Sequence, residues 1–182
     1  MENSALYNLR YPIGEFIKPE IITAEILAKA IQTIADFPEK LKAEVSHLSE
    51  AQLETPYRTD GWTIRQVVHH CADSHMNCFI RIKWTLTEDN PTIKFYYESL
   101  WAEGVDNKTM PIEPTLQFLE GLHYRLSFVI KSLSETDLER TYIHPEHNKE
   151  FELNEVICLY AWHCNHHLAH ITELKKREGW NN

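Results

Sequence analysis

Glycine is nearly missing from this sequence: Gly14, Gly61, Gly104, Gly121 and Gly179 are all there is. Phosphate-cradling loops need closely spaced glycines so that the backbone can approach the ligand. Neither a G-x-G-x-x-G nor a Walker-type loop can be written with these five, which excludes Rossmann and P-loop chemistry. Basic charge is short as well. Lys and Arg number 18 against 27 Asp and Glu, for a net charge of −9 and a pI near 5.6. An acidic surface repels phosphate backbones, so nucleic acid is not an expected partner. No run approaches the roughly 18 apolar residues of a membrane span, and residues 1–14 lack the basic start and apolar stretch of a secretory signal. The four cysteines, Cys71, Cys78, Cys158 and Cys164, form no C-x-x-C. They read as buried, reduced thiols in a cytoplasmic protein without a membrane partner.

What remains is enough for a core. Hydrophobic residues make up 43% of the 182, which excludes wholesale disorder and fits one domain spanning 1–182. Residues 1–20, with Pro12, Gly14 and Pro19, read as an extended arm. Apolar residues then recur at helical spacing over 23–48, with Pro38 expected to kink or split the helix because it removes a donor. Residues 51–61 read as irregular.

A second helix begins after Thr63, where Gln66 completes a T-x-x-Q capping box, and it fades near Thr87. The stretch 91–111, with Tyr96, Tyr97 and Trp101, reads as a long loop of the kind that forms lids or binding surfaces. Pro114 is expected at the first position of a third helix, whose stripe is Leu119, Leu122, Leu126, Val129 and Leu133. A short hairpin is predicted on 141–143 and 150–152. A fourth helix follows, with Asn154 as N-cap and Gly179 beyond its end. Four long amphipathic segments with little strand signal predict an all-α four-helix bundle.

Histidine is over-represented and clustered. Of 11 in the chain, His69, His70 and His75 share one short segment, and His163, His166, His167 and His170 share another. On the last helix, Val156, Tyr160, His163, His167, His170 and Leu174 alternate at spacings of four and three. Imidazoles at i and i+4 sit one turn apart on one face and can converge on one cation. His163 and His167 form such a pair, and His166 and His170 another. The first pair lies nearer the middle of the apolar stripe. On the second helix, periodicity does not choose between His70 and His75.

One imidazole from the second helix and two from the fourth would leave coordination positions for water, the arrangement of a catalytic site. Asp73, one turn from His70, is a candidate general base. His163 is followed by Cys164 and Asn165, so there is no H-E-x-x-H, and a zincin-type protease is not supported. Arg58, Arg65 and Arg81 could bind an anionic substrate but read more as ion-pair partners, and Trp62, Tyr160 and Trp162 as core packing rather than substrate stacking.

The runs Thr55-Pro-Tyr-Arg58, Gly61-Trp-Thr63, Arg65-Gln-Val-Val-His-His70 and Ala72-Asp-Ser-His-Met-Asn77 resemble the YfiT branch of the DinB superfamily. So do Tyr160-Ala-Trp-His163 with His166-His-Leu-Ala-His-Ile-Thr-Glu-Leu174, the opening Leu9-Arg-Tyr-Pro-Ile-Gly-Glu15 and the closing Gly179-Trp180. The resemblance covers nearly the whole chain. It implies a four-helix bundle, a homodimer and a metal-dependent hydrolase acting on a small molecule. One divalent ion per chain, zinc or alternatively nickel, would sit on three histidines.

In this family the first ligand falls eight residues after a tryptophan, which matches His70 to Trp62; the other two match His163 and His167. His170 stands where many relatives carry glutamine. The family also implies two alternatives: a thiol S-transferase of the bacillithiol-transferase kind, and a non-catalytic metal-binding stress-response dimer.

Overall fold

The computed structural model describes residues 4–146 and 148–180. Short helix α1 (Ser4–Arg10) leads into an arm and then α2 (Ala24–Val45), α3 (Glu50–Leu53), α4 (Ile64–Thr87), α5 (Glu98–Ala102) and α6 (Val105–Thr109). After α7 (Ile112–Lys131) and α8 (Glu135–Leu138) come strands β1 (Thr141–His144) and β2 (Lys149–Glu152), and finally α9 (Leu153–Glu178). The long helices α2, α4, α7 and α9 form the expected bundle. Their buried faces meet in one core that includes Leu41, Val67, Leu119, Leu126, Val156 and Ile171.

The helix ends follow local chemistry. The Thr63 hydroxyl accepts from the Gln66 backbone N–H while the Gln66 side chain accepts from the Thr63 N–H, closing the predicted capping box of α4. Gly179 ends α9 at φ 67°, a left-handed position that a side chain would strain. The hairpin pairs β1 and β2 antiparallel, with Tyr142 opposite Phe151.

Several expectations need correction. The N-terminal arm is not wholly extended, because Ser4–Arg10 is helical. Residues 51–61 are not wholly irregular: Ser49 and Gln52 form a capping box that starts α3. The loop 91–111 contains α5 and α6, and its start pairs with β1 through Ile93 and Ile143. Helix α7 begins at Ile112, so Pro114 lies inside its first turn, where a missing N–H costs no intrahelical bond. Helix α9 is preceded by Glu152, and Asn154 lies within the helix.

The largest correction concerns Pro38. It does not split α2, which runs unbroken through it, and the proline ring is buried. A proline at 38 leaves the carbonyl of Ile34 without its usual donor one turn ahead. That carbonyl accepts instead from Nδ1 of His123 on α7, at 2.6 Å.

The order of the helices around the bundle decides where the site can form. Helix α2 packs against α9 and α7, and α4 packs against the same two. The first and second long helices, α2 and α4, therefore sit across the diagonal, as do the third and fourth, α7 and α9. This arrangement makes α4 and α9, the two histidine-rich helices, direct neighbours.

Candidate metal centre

His70 on α4 and His163 and His167 on α9 converge, with one potential ligand atom from each lying within 4.8 Å of the others. His70 and His167 are buried, and His163 is half-buried. Ring centroids lie 5.4 Å apart for His70 and His163, 4.7 Å for His70 and His167, and 4.4 Å for His163 and His167. Metal–imidazole bonds of about 2.0–2.1 Å allow two donors on one ion to be at most about 4.2 Å apart. Small rotamer adjustments bring the set within that reach.

The charge state fits a ligand role. Burial pushes His70 down to about 3, with His166 adding to the effect. Burial also holds His163 and His167 well below the ordinary histidine range, and the neighbouring rings act in the same direction. Neutral imidazole is the form that binds metals. His167 Nδ1 is moreover buried without a hydrogen-bond partner. A buried polar atom left so is costly, and a cation is one way to satisfy it.

A second grouping shares one member with the first: His166, His167 and His170 also bring ligand atoms within 4.8 Å. All three come from little more than one turn of α9. His170 stacks on Tyr57 at 3.9 Å between centroids, and its Nε2–H donates to the Arg10 carbonyl at 3.1 Å. His166 stacks on Trp162 at 4.4 Å. The N-terminal arm thus lies over this end of α9, and Gly14 adds a carbonyl that accepts from Trp162 Nε1. Tyr57, His170 and Arg177 line a 320 Å³ cleft beside it.

The remaining candidates separate cleanly. His69 is a structural brace: its Nε2–H donates to the Met110 carbonyl at 3.1 Å, and its Nδ1 faces the Thr115 hydroxyl at 2.8 Å. Asp73 faces a different cleft of 200 Å³ with His69, Asp106 and Asn107, where it accepts from Asn107 Nδ2 at 3.2 Å. Burial raises its carboxyl above the usual range, and the Asn107 bond offsets this only in part.

Arg65, buried, is held by Glu50, Glu54 and the Met110 carbonyl, which is an ion-pair role rather than substrate binding. Arg81 donates to the Lys94 carbonyl, and Arg58 to the Thr59 carbonyl. Trp62 packs against the core, with its ring 4.5 Å from that of His70.

His75 and His123 complete the surroundings. His75 Nε2 lies 3.0 Å from His163 Nδ1, and His75 Nδ1 lies 2.7 Å from His123 Nε2. Sequence reasoning weighed His75 only as a rival ligand and passed over His123. The signal for His123 was its spacing, four after Leu119 and three before Leu126, which places it on the buried stripe of α7.

The family profile of the DinB superfamily matches residues 34–171, a span that contains all of these histidines. The chain belongs to the DinB superfamily. Within it, the chain is 51% identical over 173 residues to a protein of Bacillus mycoides (strain KBAB4) named "Putative metal-dependent hydrolase", covering 95% of this chain and 99% of that one. A Bacillus anthracis protein of the same name shows the same identity and coverage.

Among solved structures, the YfiT protein of Bacillus subtilis superposes with a TM-score of 0.93 at 45% identity, covering 96% of this chain and 99% of that one. It is described as a probable metal-dependent hydrolase with an unusual four-helix bundle topology. The diagonal placement of α2 against α4 and of α7 against α9 in this DinB chain accords with that description.

Proposed function

We propose that this protein is a metal-dependent hydrolase that holds one divalent ion, zinc or nickel, on His70, His163 and His167. The observation that carries the reading is the meeting of three imidazoles, two buried and one half-buried, from two adjacent helices, with the names of its DinB relatives pointing the same way. Three nitrogen ligands are the protein complement of many catalytic zinc sites, whereas structural sites are closed by four. An ion held there supplies Lewis acidity and lowers the pKa of water to about 7, giving a nucleophile at neutral pH.

The chain's own residues set the conditions for that chemistry. His70 and the α9 pair fix the ion between α4 and α9. Trp62 walls the His70 side, and Tyr57 and Trp162 wall the His166–His170 side. These rings lower the local polarity and limit the water that reaches the ligands. The 320 Å³ cleft beside His170 is of a size for a small-molecule substrate. No helix among the described residues is long and apolar enough to cross a membrane. The four cysteines are free and buried, which suits a reducing cytoplasm. We take the working form to be a homodimer, which sedimentation velocity tests directly.

The test of the metal reading is metal content per chain, by mass spectrometry, on protein made without a histidine tag. Wild type is expected to carry about one zinc or nickel per chain and His163→Ala to lose it. A screen of ester, amide and phosphoester substrates then follows, with and without a chelator. Equal metal content in both proteins, or turnover unaffected by metal removal, sinks the reading.

A further inference from the structure

Four groups, one from each long helix, stand in a single hydrogen-bonded file. The Ile34 carbonyl on α2 lies 2.6 Å from His123 Nδ1 on α7, and His123 Nε2 lies 2.7 Å from His75 Nδ1 on α4. His75 Nε2 lies 3.0 Å from His163 Nδ1 on α9. His75 and His123 are each 1% exposed, so water does not compete for these bonds.

The direction of the file is forced from one end. A carbonyl oxygen only accepts, so His123 must carry its proton on Nδ1. A neutral imidazole has one N–H, which leaves His123 Nε2 an acceptor and makes His75 Nδ1 the donor to it. By the same step His75 Nε2 accepts, and His163 Nδ1 donates. The lone pair of His163 is then on Nε2. His75 and His123 are enclosed in the core, where no carboxylate among the described residues hydrogen-bonds to either ring to balance a charge, and the neutral form is the one this file of bonds uses. Ser74 Oγ, 3.4 Å from His163 Nε2, is a hydroxyl that can donate to that lone pair. Pro38 is what leaves the Ile34 carbonyl in want of a donor.

We propose that His75 and His123 are positioning residues that fix His163 as its Nδ1–H tautomer, so that it presents Nε2 to the ion. The inference rests on the reading of His163 as a ligand. Outer partners that orient a ligating histidine commonly end at one carboxylate or carbonyl. Here the orientation passes through two further imidazoles, on α4 and α7, before it reaches a main-chain carbonyl on α2. His123 touches no ligand, yet it decides which nitrogen His163 can offer.

The test uses tag-free, histidine-¹⁵N-labelled protein and two substitutions. In wild type, nitrogen shifts are expected to place the protons of His123, His75 and His163 on Nδ1, both before and after zinc is added. His123→Leu keeps the bulk of the site but removes the acceptor, and should weaken zinc binding about 10-fold or more in a chelator competition. His123→Gln can accept from His75 through its amide oxygen and donate to Ile34 through its amide nitrogen, so it should bind zinc within a few-fold of wild type. A structural role alone would not distinguish the two variants at matched thermal stability.

An Nε2–H tautomer at His163 in wild type, or a His123→Leu protein that binds zinc as wild type does, overturns the proposal. The tautomer arm needs no variant, so a substitution that fails to fold does not protect the idea. Wild type that takes up no zinc is a different failure: it removes the metal reading, and the positioning role with it.

Discussion

His123 Nδ1 donates to the carbonyl of Ile34 across 2.6 Å and 89 residues of sequence, supplying the hydrogen bond that Pro38 removes from its own helix. Two departures from the ordinary, a proline within a helix and a histidine within a core, thereby satisfy each other. Neither is a defect once the other is in place.

This relationship predicts energetic coupling between positions 38 and 123. His123→Leu should leave the Ile34 carbonyl unpaired, at a cost of about 1–3 kcal/mol. Pro38→Ala restores an N–H one turn ahead of that carbonyl. A double-mutant cycle read by urea unfolding should therefore show His123→Leu costing about 1 kcal/mol less in the Pro38→Ala background. Additivity within about 0.3 kcal/mol would show that the carbonyl does not link them.

His123 also predicts a pH dependence. Its folded value, held near 4 mainly by burial, lies below the unfolded value of about 6.5. The unfolded chain therefore binds a proton that the folded chain refuses. The stabilisation is fully present above pH 6.5 and is lost as the pH falls towards 4, on the order of 3 kcal/mol over that window. Unfolding free energies measured from pH 7.5 to 4.5 should fall less steeply for His123→Gln than for wild type. Parallel slopes would contradict the burial argument.

Glu155 should act at lower pH. Burial on its own would raise this carboxyl, but hydrogen bonds and charge from Lys149 and Lys18 overcome that and hold it below the usual range. A depressed carboxylate stabilises above its unfolded value of about 4.3 and loses that contribution as the pH falls through the folded value. Both lysines are about half exposed, so solvent screening keeps the pair modest. Glu155→Gln should cost about 1 kcal/mol at pH 7 and progressively less as the pH falls below about 4.3, by chemical denaturation along a pH series. A cost that does not shrink with falling pH would assign Glu155 to packing instead.

Asp73 and the metal should be separable. The carboxylate faces Asn107 in its own cleft, and none of its hydrogen bonds reaches His70, His163 or His167. Asp73→Asn is expected to keep about one metal per chain, while His70→Ala and His167→Ala lose it. Loss of metal in Asp73→Asn, with the fold intact by circular dichroism, would bring the carboxylate into the site.

Arg65 predicts a stability effect with no metal phenotype. Its guanidinium is buried and shared by Glu50, Glu54 and the Met110 carbonyl, tying α4 to α3 and to the loop before α7. Glu50 and Glu54 are exposed, so losing the guanidinium strands no buried charge, and its hydrogen bonds set the cost at about 1–3 kcal/mol. Arg65→Met should lower the unfolding midpoint while the folded fraction still binds metal. A near-neutral change would mean that the exposed Glu50 and Glu54 contribute little.

Much of this was legible locally. Thr63 with Gln66, Gly179 and the stripe on the last helix are short-range signals, and each marks what the structure shows. The capping box of Ser49 and Gln52 was equally written in the sequence, but only Leu53 follows it, too brief a run for periodicity to register. Pro38 was misjudged because its missing donor is a local fact and its replacement is not. The histidines of α4 divided for a similar reason. Spacing along one helix could not tell His70, which faces the α9 pair, from His75, which stands behind His163, because that difference lies in which neighbour each ring meets.

The file of imidazoles begins at a main-chain atom. Any residue placed at 34 brings the same carbonyl, so the instruction that sets the proton on His163 cannot be erased by exchanging that side chain. It can be lost only by moving the helix that carries it or by altering a ring along the way. The chemistry presented between α4 and α9 is in this sense dictated by the backbone path of α2, a helix that supplies no ligand. A ligand that bends α2 near Pro38 would change the nitrogen offered to the ion without coming near it.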